Sequence, residues 1–165
     1  MTDRPRRIVV MGPSGSGKSA VGAAVAAQLD VAFIDADHLH PAANIAKMTA
    51  GQALDDEDRG PWLDAVAARL ADAPGGLVVA CSALTRRYRE RVLRGCGDAT
   101  FVELRVSYAE LERRMTGRAH FMPPALLRSQ VDTWQPLAAE EPGVSVDGDR
   151  PLESVIASVM SAIAG

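Results

Sequence analysis

The residues with the most chemistry in them are Gly12-Pro13-Ser14-Gly15-Ser16-Gly17-Lys18-Ser19, a G-x-x-x-x-G-K-S pattern directly behind the apolar run Ile8-Val9-Val10-Met11. Glycines at these positions let successive backbone N–H groups close around phosphate oxygens. The lysine reaches β- and γ-phosphates, and the terminal hydroxyl is a ligand for Mg²⁺. The whole run from Gly12 to Ser19 is therefore assigned to a nucleotide triphosphate, with Lys18 also catalytic and Ser19 also a metal ligand.

Asp35 and Asp37 follow the apolar stretch Val31-Ala32-Phe33-Ile34. If the chain stays extended there, both carboxylates face one side of a sheet, at the strand end where open α/β sheets bind ligands. One can then approach the metal while the other accepts a proton from a substrate hydroxyl, a division suited to phosphoryl transfer. A solvated pair capping the next helix is the plainer alternative. Asp55, Asp56 and Asp58 stand just before a helical pattern, where acids favour the macrodipole. His38, His40 and His120 have no metal-ligand company and read as hydrogen-bonding groups. His40 is the candidate for touching a substrate, with turn stabilisation as its alternative.

Sixteen arginines accompany only two lysines, Lys18 and Lys47, and Lys47 follows the sole asparagine, Asn44, by three residues. That scarcity makes Lys47 a candidate. Arg86, Arg87, Arg89, Arg91 and Arg94 form a basic helix, mostly a solvated face with one or two members near its start turned toward an anionic substrate. Arg113, Arg114 and Arg118 are placed to stack on a base or to stabilise charge on a transferring phosphoryl; surface ion pairs are the alternative.

The elements that must position these groups alternate. Residues 7–11 read as a buried strand and Ser19 to Leu29 as a helix; Val31 to Asp35, Gly76 to Cys81, Thr100 to Val106 and Val144 to Val146 supply four more strands. Pro61 fits the first turn of a helix running through Trp62, Leu63, Val66 and Leu70, and another spans about 151–164. Leu111 to Leu137 reads as helix, excursion, helix, which suits a lid or an ordinary hairpin. The fold class is α/β, expected as one phosphate-loop domain over 1–165 with a lid subregion at about 112–137.

At 165 residues with 47% hydrophobic and 24% charged side chains, the chain can bury one core without a staple. A net charge of −3 draws it to neither nucleic acid nor anionic membrane. No apolar run approaches the ~18 residues that span a bilayer. With two cysteines and no charged-then-apolar leader, the expected compartment is the cytoplasm and the expected partner a small molecule.

Beyond the phosphate loop, the chain carries Asp35-Ala36-Asp37-His38-Leu39-His40-Pro41, Asn44-Ile45-Ala46-Lys47-Met48, Gly51-Gln52-Ala53-Leu54-Asp55-Asp56-Glu57-Asp58-Arg59, Pro61-Trp62-Leu63 and Cys81-Ser82-Ala83-Leu84. Over nearly its whole length it resembles the bacterial gluconokinases of the phosphate-loop type. The resemblance implies a fold like the nucleoside monophosphate and shikimate kinases, a five-stranded parallel sheet flanked by helices with a helical lid. It also implies ATP-dependent phosphorylation of the 6-hydroxyl of D-gluconate, feeding the pentose phosphate route, and suggests a homodimer. Carried over by position, Asp37 meets the substrate hydroxyl. His40, Lys47, Ser82, Arg89 and His120 bind the sugar acid, Ser19 holds Mg²⁺ with Asp35 nearby through water, and Arg114 and Arg118 are lid arginines. Two departures are visible: Arg118-Ala119-His120-Phe121 is one residue shorter than the family's Arg-x-Gly-His-Phe, and Thr85 replaces a lysine, leaving Arg86 or Arg87 to supply charge. Competing readings are a shikimate-like or nucleoside monophosphate kinase, a polynucleotide kinase using the basic helix, and a nucleotide switch. The last lacks the Asn-Lys-x-Asp base reader, since Asn44 is followed by Ile45.

Overall fold

The computed structural model describes residues 6–116 and 124–165. Its sheet is built outward from β1 (Arg7–Met11), whose residues Ile8 to Met11 are all buried. Parallel partners flank it on both sides, β3 (Leu77–Ala80) through pairs such as Val9↔Val79 and β4 (Thr100–Arg105) through Val9↔Phe101. The edges are β2 (Ala32–Asp35) and β5 (Gly143–Asp147), giving the order β2-β3-β1-β4-β5. Continuous apolar, β-branched runs such as Ile8-Val9-Val10 and Leu77-Val78-Val79 suit strands buried on two faces.

Alternation along those strands divides the core. Val9, Met11, Val79 and Phe101 point toward helices α3 (Asp56–Ala71) and α4 (Arg86–Cys96), packing with Trp62, Leu63, Leu70 and Val92. Ile8, Val10, Val78 and Val102 point the other way, onto Val21 and Val25 of α1 (Lys18–Leu29) and Val155 and Val159 of α7 (Leu152–Ala164). The five parallel strands and the helices on both faces agree with the expected class. Between β4 and β5 lie α5 (Tyr108–Thr116) and α6 (Pro124–Thr133).

Two local expectations are corrected. The chain does not stay extended beyond Asp35: its carboxylate accepts a hydrogen bond from the Asp37 backbone N–H at 2.9 Å, and Ala36–Leu39 wind into a single 3-10 turn. This is the self-capping habit of aspartate winning over strand propagation. Helix α2 (Ala42–Thr49) follows at once. The helix read from Pro61 begins five residues earlier, at Asp56. Asp55 and Asp58 form a reciprocal capping box there, each side chain accepting from the other's backbone N–H. That box fixes the helix start upstream of Pro61, which therefore lies inside α3.

Trp62 joins these corrected pieces. Its indole Nε1 donates to the buried carbonyl of Ala36 at 2.7 Å, pinning the 3-10 turn onto α3. Trp62→Phe keeps a ring in the core but removes that bond, so it should cost about 0.5–1.5 kcal/mol in urea unfolding. A loss under about 0.5 kcal/mol would contradict this role for the indole.

Candidate active site

The phosphate loop leaves the end of the central strand and enters α1 through Gly17, whose φ of 89°, like the 85° of Gly15, disfavours any side chain. A Cβ on Gly12 would lie 2.6 Å from Ser16 Oγ, so the first glycine is required by close approach. Among the described residues, Ser16 Oγ is buried without a hydrogen-bond partner, and Lys18 is 8% exposed with no ion pair. A buried lysine without an ion pair there, beside an orphaned hydroxyl on a glycine-rich loop, fits a phosphate chain.

Ser19 Oγ donates to Asp35 Oδ2 at 2.6 Å. A hydroxyl and a carboxylate oxygen are the hard donors Mg²⁺ takes when phosphates and water fill its remaining positions. Among the described residues no cluster of three or more His, Cys, Asp or Glu could hold a metal alone. Asp37 hangs beside them from the 3-10 turn, and its carboxylate makes no hydrogen bond to another described residue.

These groups share a cavity of about 510 Å³ with His40, Arg59 and Ser82. Lys18 and Arg59 are the two Lys or Arg side chains on its wall among the described residues. Arg59, quoted in a motif but given no role from sequence, donates to the Tyr88 hydroxyl at 2.9 Å, which in turn donates to Asp56. Burial, then the bond to Asp56, push the Tyr88 phenol up, so it stays a proton donor. His40 stacks on Trp62 at 4.2 Å between centroids, and its Nδ1 lies 3.2 Å from Asn44 Nδ2. Cys81 is fully buried and pushed up to about 12 by that burial, so it packs as an inert thiol.

Other sequence candidates lie elsewhere. Lys47 does not line this cavity; it pairs with Asp58 at 2.7 Å and ties α2 to the capping box of α3. Arg89 is wholly buried and also off the cavity wall. Thr85, where the resemblance led to the expectation of a lysine, caps α4 by accepting from Tyr88 N–H. Neither proposed substitute supplies charge to the cavity, because Arg86 pairs with Glu90 and Glu140, and exposed Arg87 lies 3.7 Å from Asp56. Arg118 and His120 lie outside the described residues.

Arg114 sits on the opposite flank of the phosphate loop, donating to Gly15 O at 3.1 Å and Gly148 O at 2.8 Å, in a second cavity of about 680 Å³. Hydrogen bonds from Arg113 and then Arg114 hold Glu110 down at about 2, so it remains a fixed anion aiming both guanidinium groups. From α6, Gln130 Oε1 accepts from Ser14 N–H at 2.8 Å, a contact between that helix and the phosphate loop that spacing did not reveal.

The chain as a whole has similar known proteins. Residues 8–137 fit the family model described as an AAA domain. The thermoresistant gluconokinase of Escherichia coli strain K12 is 42% identical over 164 residues, covering 94% of this chain and 91% of that protein. A gluconokinase of Gluconobacter oxydans strain 621H is 41% identical over 93% of this chain and 88% of its own. The chain belongs to the gluconokinase family. The solved gluconokinase from Sinorhizobium meliloti 1021 superposes with a TM-score of 0.90 at 44% identity, covering 97% of this chain and 92% of that one. Shikimate kinase from Aquifex aeolicus vf5, at 15% identity and a TM-score of 0.62, shares the fold.

In this gluconokinase-family site, burial lowers the His40 pKa below the ordinary imidazole value of 6.5, against the raising effect of Asp37. The neutral ring's contribution to stability is complete above that ordinary value and is lost as pH falls through the lowered one. An NMR titration of the His40 ring should give a midpoint below 6.5. A midpoint at or above it would refute the half-buried, neutral stack.

Proposed function

We propose that this chain is a gluconokinase that moves the γ-phosphoryl group of ATP to the 6-hydroxyl of D-gluconate, giving 6-phospho-D-gluconate and ADP. The observation that carries the reading is one cavity bearing Lys18, Ser19, Asp35 and Asp37 at its phosphate end and Arg59 on its wall, in a chain so similar to gluconokinases. Its volume, about 510 Å³, falls within the roughly 300–1,000 Å³ of small-molecule sites. Gluconate is an anion at one end and a primary alcohol at the other, which suits a cation and a carboxylate on the same wall.

Catalysis here is positioning and charge stabilisation. Lys18 and the loop amides grip the phosphate chain, while Arg59 pairs with the sugar acid's carboxylate and Ser82 and His40 bond its hydroxyls. Asp37 takes the proton from the 6-hydroxyl as its oxygen bonds to the γ-phosphorus and the bond to the bridging oxygen of ADP breaks. Mg²⁺, held by Ser19 and Asp35, would neutralise charge on the β- and γ-phosphate oxygens. Arg114 contacts the nucleotide. Arg118 on the transferring phosphoryl and His120 on the sugar acid remain part of this reading through the family pattern. We take the enzyme to work in the cytoplasm on a small acceptor.

The test is ADP release with ATP, Mg²⁺ and D-gluconate, shikimate, glycerate, AMP or a short oligonucleotide. Turnover is expected with gluconate, lost in Lys18→Ala. In Asp37→Asn, kcat should fall by about 10²–10⁴ with ATP binding retained. Turnover with another acceptor only, or full activity of the Asp37 variant, would overturn the assignment.

A further inference from the structure

Besides Lys18, three charged side chains are buried among the described residues: Arg89 at 0%, Glu103 at 1% and Glu141 at 9% exposure. Phosphoryl transfer as derived above uses none of them. All three grip the segment that follows α6. Glu103, on β4, accepts from Trp134 Nε1 at 3.1 Å, Leu137 N at 2.8 Å and Ser145 Oγ at 2.8 Å. Glu141 receives Arg89 as a fork, Nε to Oε1 at 2.7 Å and Nη2 to Oε2 at 2.9 Å, and also accepts from Ala138 N.

The remaining donors of Arg89 are also engaged. Nη1 donates to Ala83 O at 3.0 Å and Gln135 O at 3.1 Å, and Nη2 reaches Pro136 O at 3.4 Å. A guanidinium has five N–H donors, and five acceptors meet this one, all from the protein. No donor is left over for a sugar acid, and no surface of the residue is exposed to meet one.

What the guanidinium holds is informative. Ala83 has a φ of 43°, the left-handed region that a residue with a Cβ disfavours. Ser82, immediately before it, faces the acceptor cavity, and Leu84, immediately after, accepts from Gln135 N at 2.7 Å. Ser129 and Gln130 of α6, the helix that runs into the Arg89-bound segment, line the same cavity. One side chain thus joins the turn carrying Ser82 to the chain that follows α6.

We propose that Arg89, backed by Glu141, is a positioning residue for the acceptor: it fixes the strained Ala83 turn so that Ser82 faces the cavity, and locks that turn to the trailing end of α6. Planarity and the fixed fork explain why an arginine serves here. The inference rests on the gluconate reading for its assay substrate.

The test is steady-state kinetics of the wild type, Arg89→Lys, Glu141→Gln and the double variant, with ATP affinity and thermal unfolding measured on each. Each single change should raise KM for gluconate about tenfold, leave KM for ATP within about twofold, and act non-additively in the double variant, as expected of one interaction. If Arg89→Lys does not fold, the nearly isosteric Glu141→Gln carries the same expectation. An unchanged gluconate KM in folded Glu141→Gln overturns the proposal. So does a parallel rise in both KM values, or an effect of Arg89→Lys that Glu141→Gln does not share, which would mean direct contact with substrate. Absence of gluconate turnover in the wild type would strike the functional reading instead, and the same comparison would then be made with whichever acceptor turns over.

Discussion

Everything at the site hangs on the Asp35 carboxylate. One oxygen takes the Ser19 hydroxyl from the first turn of α1 at 2.6 Å, and the other takes the Asp37 backbone N–H at 2.9 Å. A single short side chain therefore sets the distance between the end of the phosphate loop and the group assigned to the acceptor's proton. Asp35 closes β2, two strands away from β1, so that distance depends on the β2-β3-β1 register and on α1 being seated on one face of the sheet. From the other face Trp62 holds Ala36, and hence the turn, through its indole.

Charge is distributed to match. Surface pairs such as Arg91–Asp64 and Arg86–Glu90 neutralise much of the basic helix α4. Each is screened by solvent and contributes little to stability, but together they remove the uncompensated stripe that a polynucleotide ligand would need. Arg89 on the same helix is of another kind. Its pairing with Glu141, which holds that carboxyl below the usual range, is buried, and breaking such a pair from one side costs about 3–5 kcal/mol. One helix therefore presents a solvated face outward and a structural cation inward, next to the turn that shapes the acceptor wall.

The sheet was legible because its strands are short, continuous and β-branched, and the phosphate loop because its glycines serve one purpose. Asp35 and Asp37 were legible as a pair, but the route between them was not: strand periodicity cannot announce that an aspartate will cap its own turn. The start of α3 was hidden by Pro61, which looks like a first-turn residue when the Asp55/Asp58 box upstream is taken only as loose acidity. Rarity singled out Lys47, yet its ammonium serves Asp58. Arg59 carried no signal beyond its place in a motif, since nothing in spacing tells which of sixteen arginines faces a cavity. The buried trio of Arg89, Glu103 and Glu141 links positions from three separate stretches, and only the folded chain brings them together.

The most direct measurement is a crystal structure with a non-hydrolysable ATP analogue, Mg²⁺ and D-gluconate bound together. The account predicts the 6-hydroxyl within hydrogen-bond distance of Asp37 and in line with the terminal phosphate, the sugar carboxylate on Arg59, and Arg89 still sealed against Glu141. Gluconate bound in the opposite sense, or with its carboxylate drawn to Arg89, would contradict it.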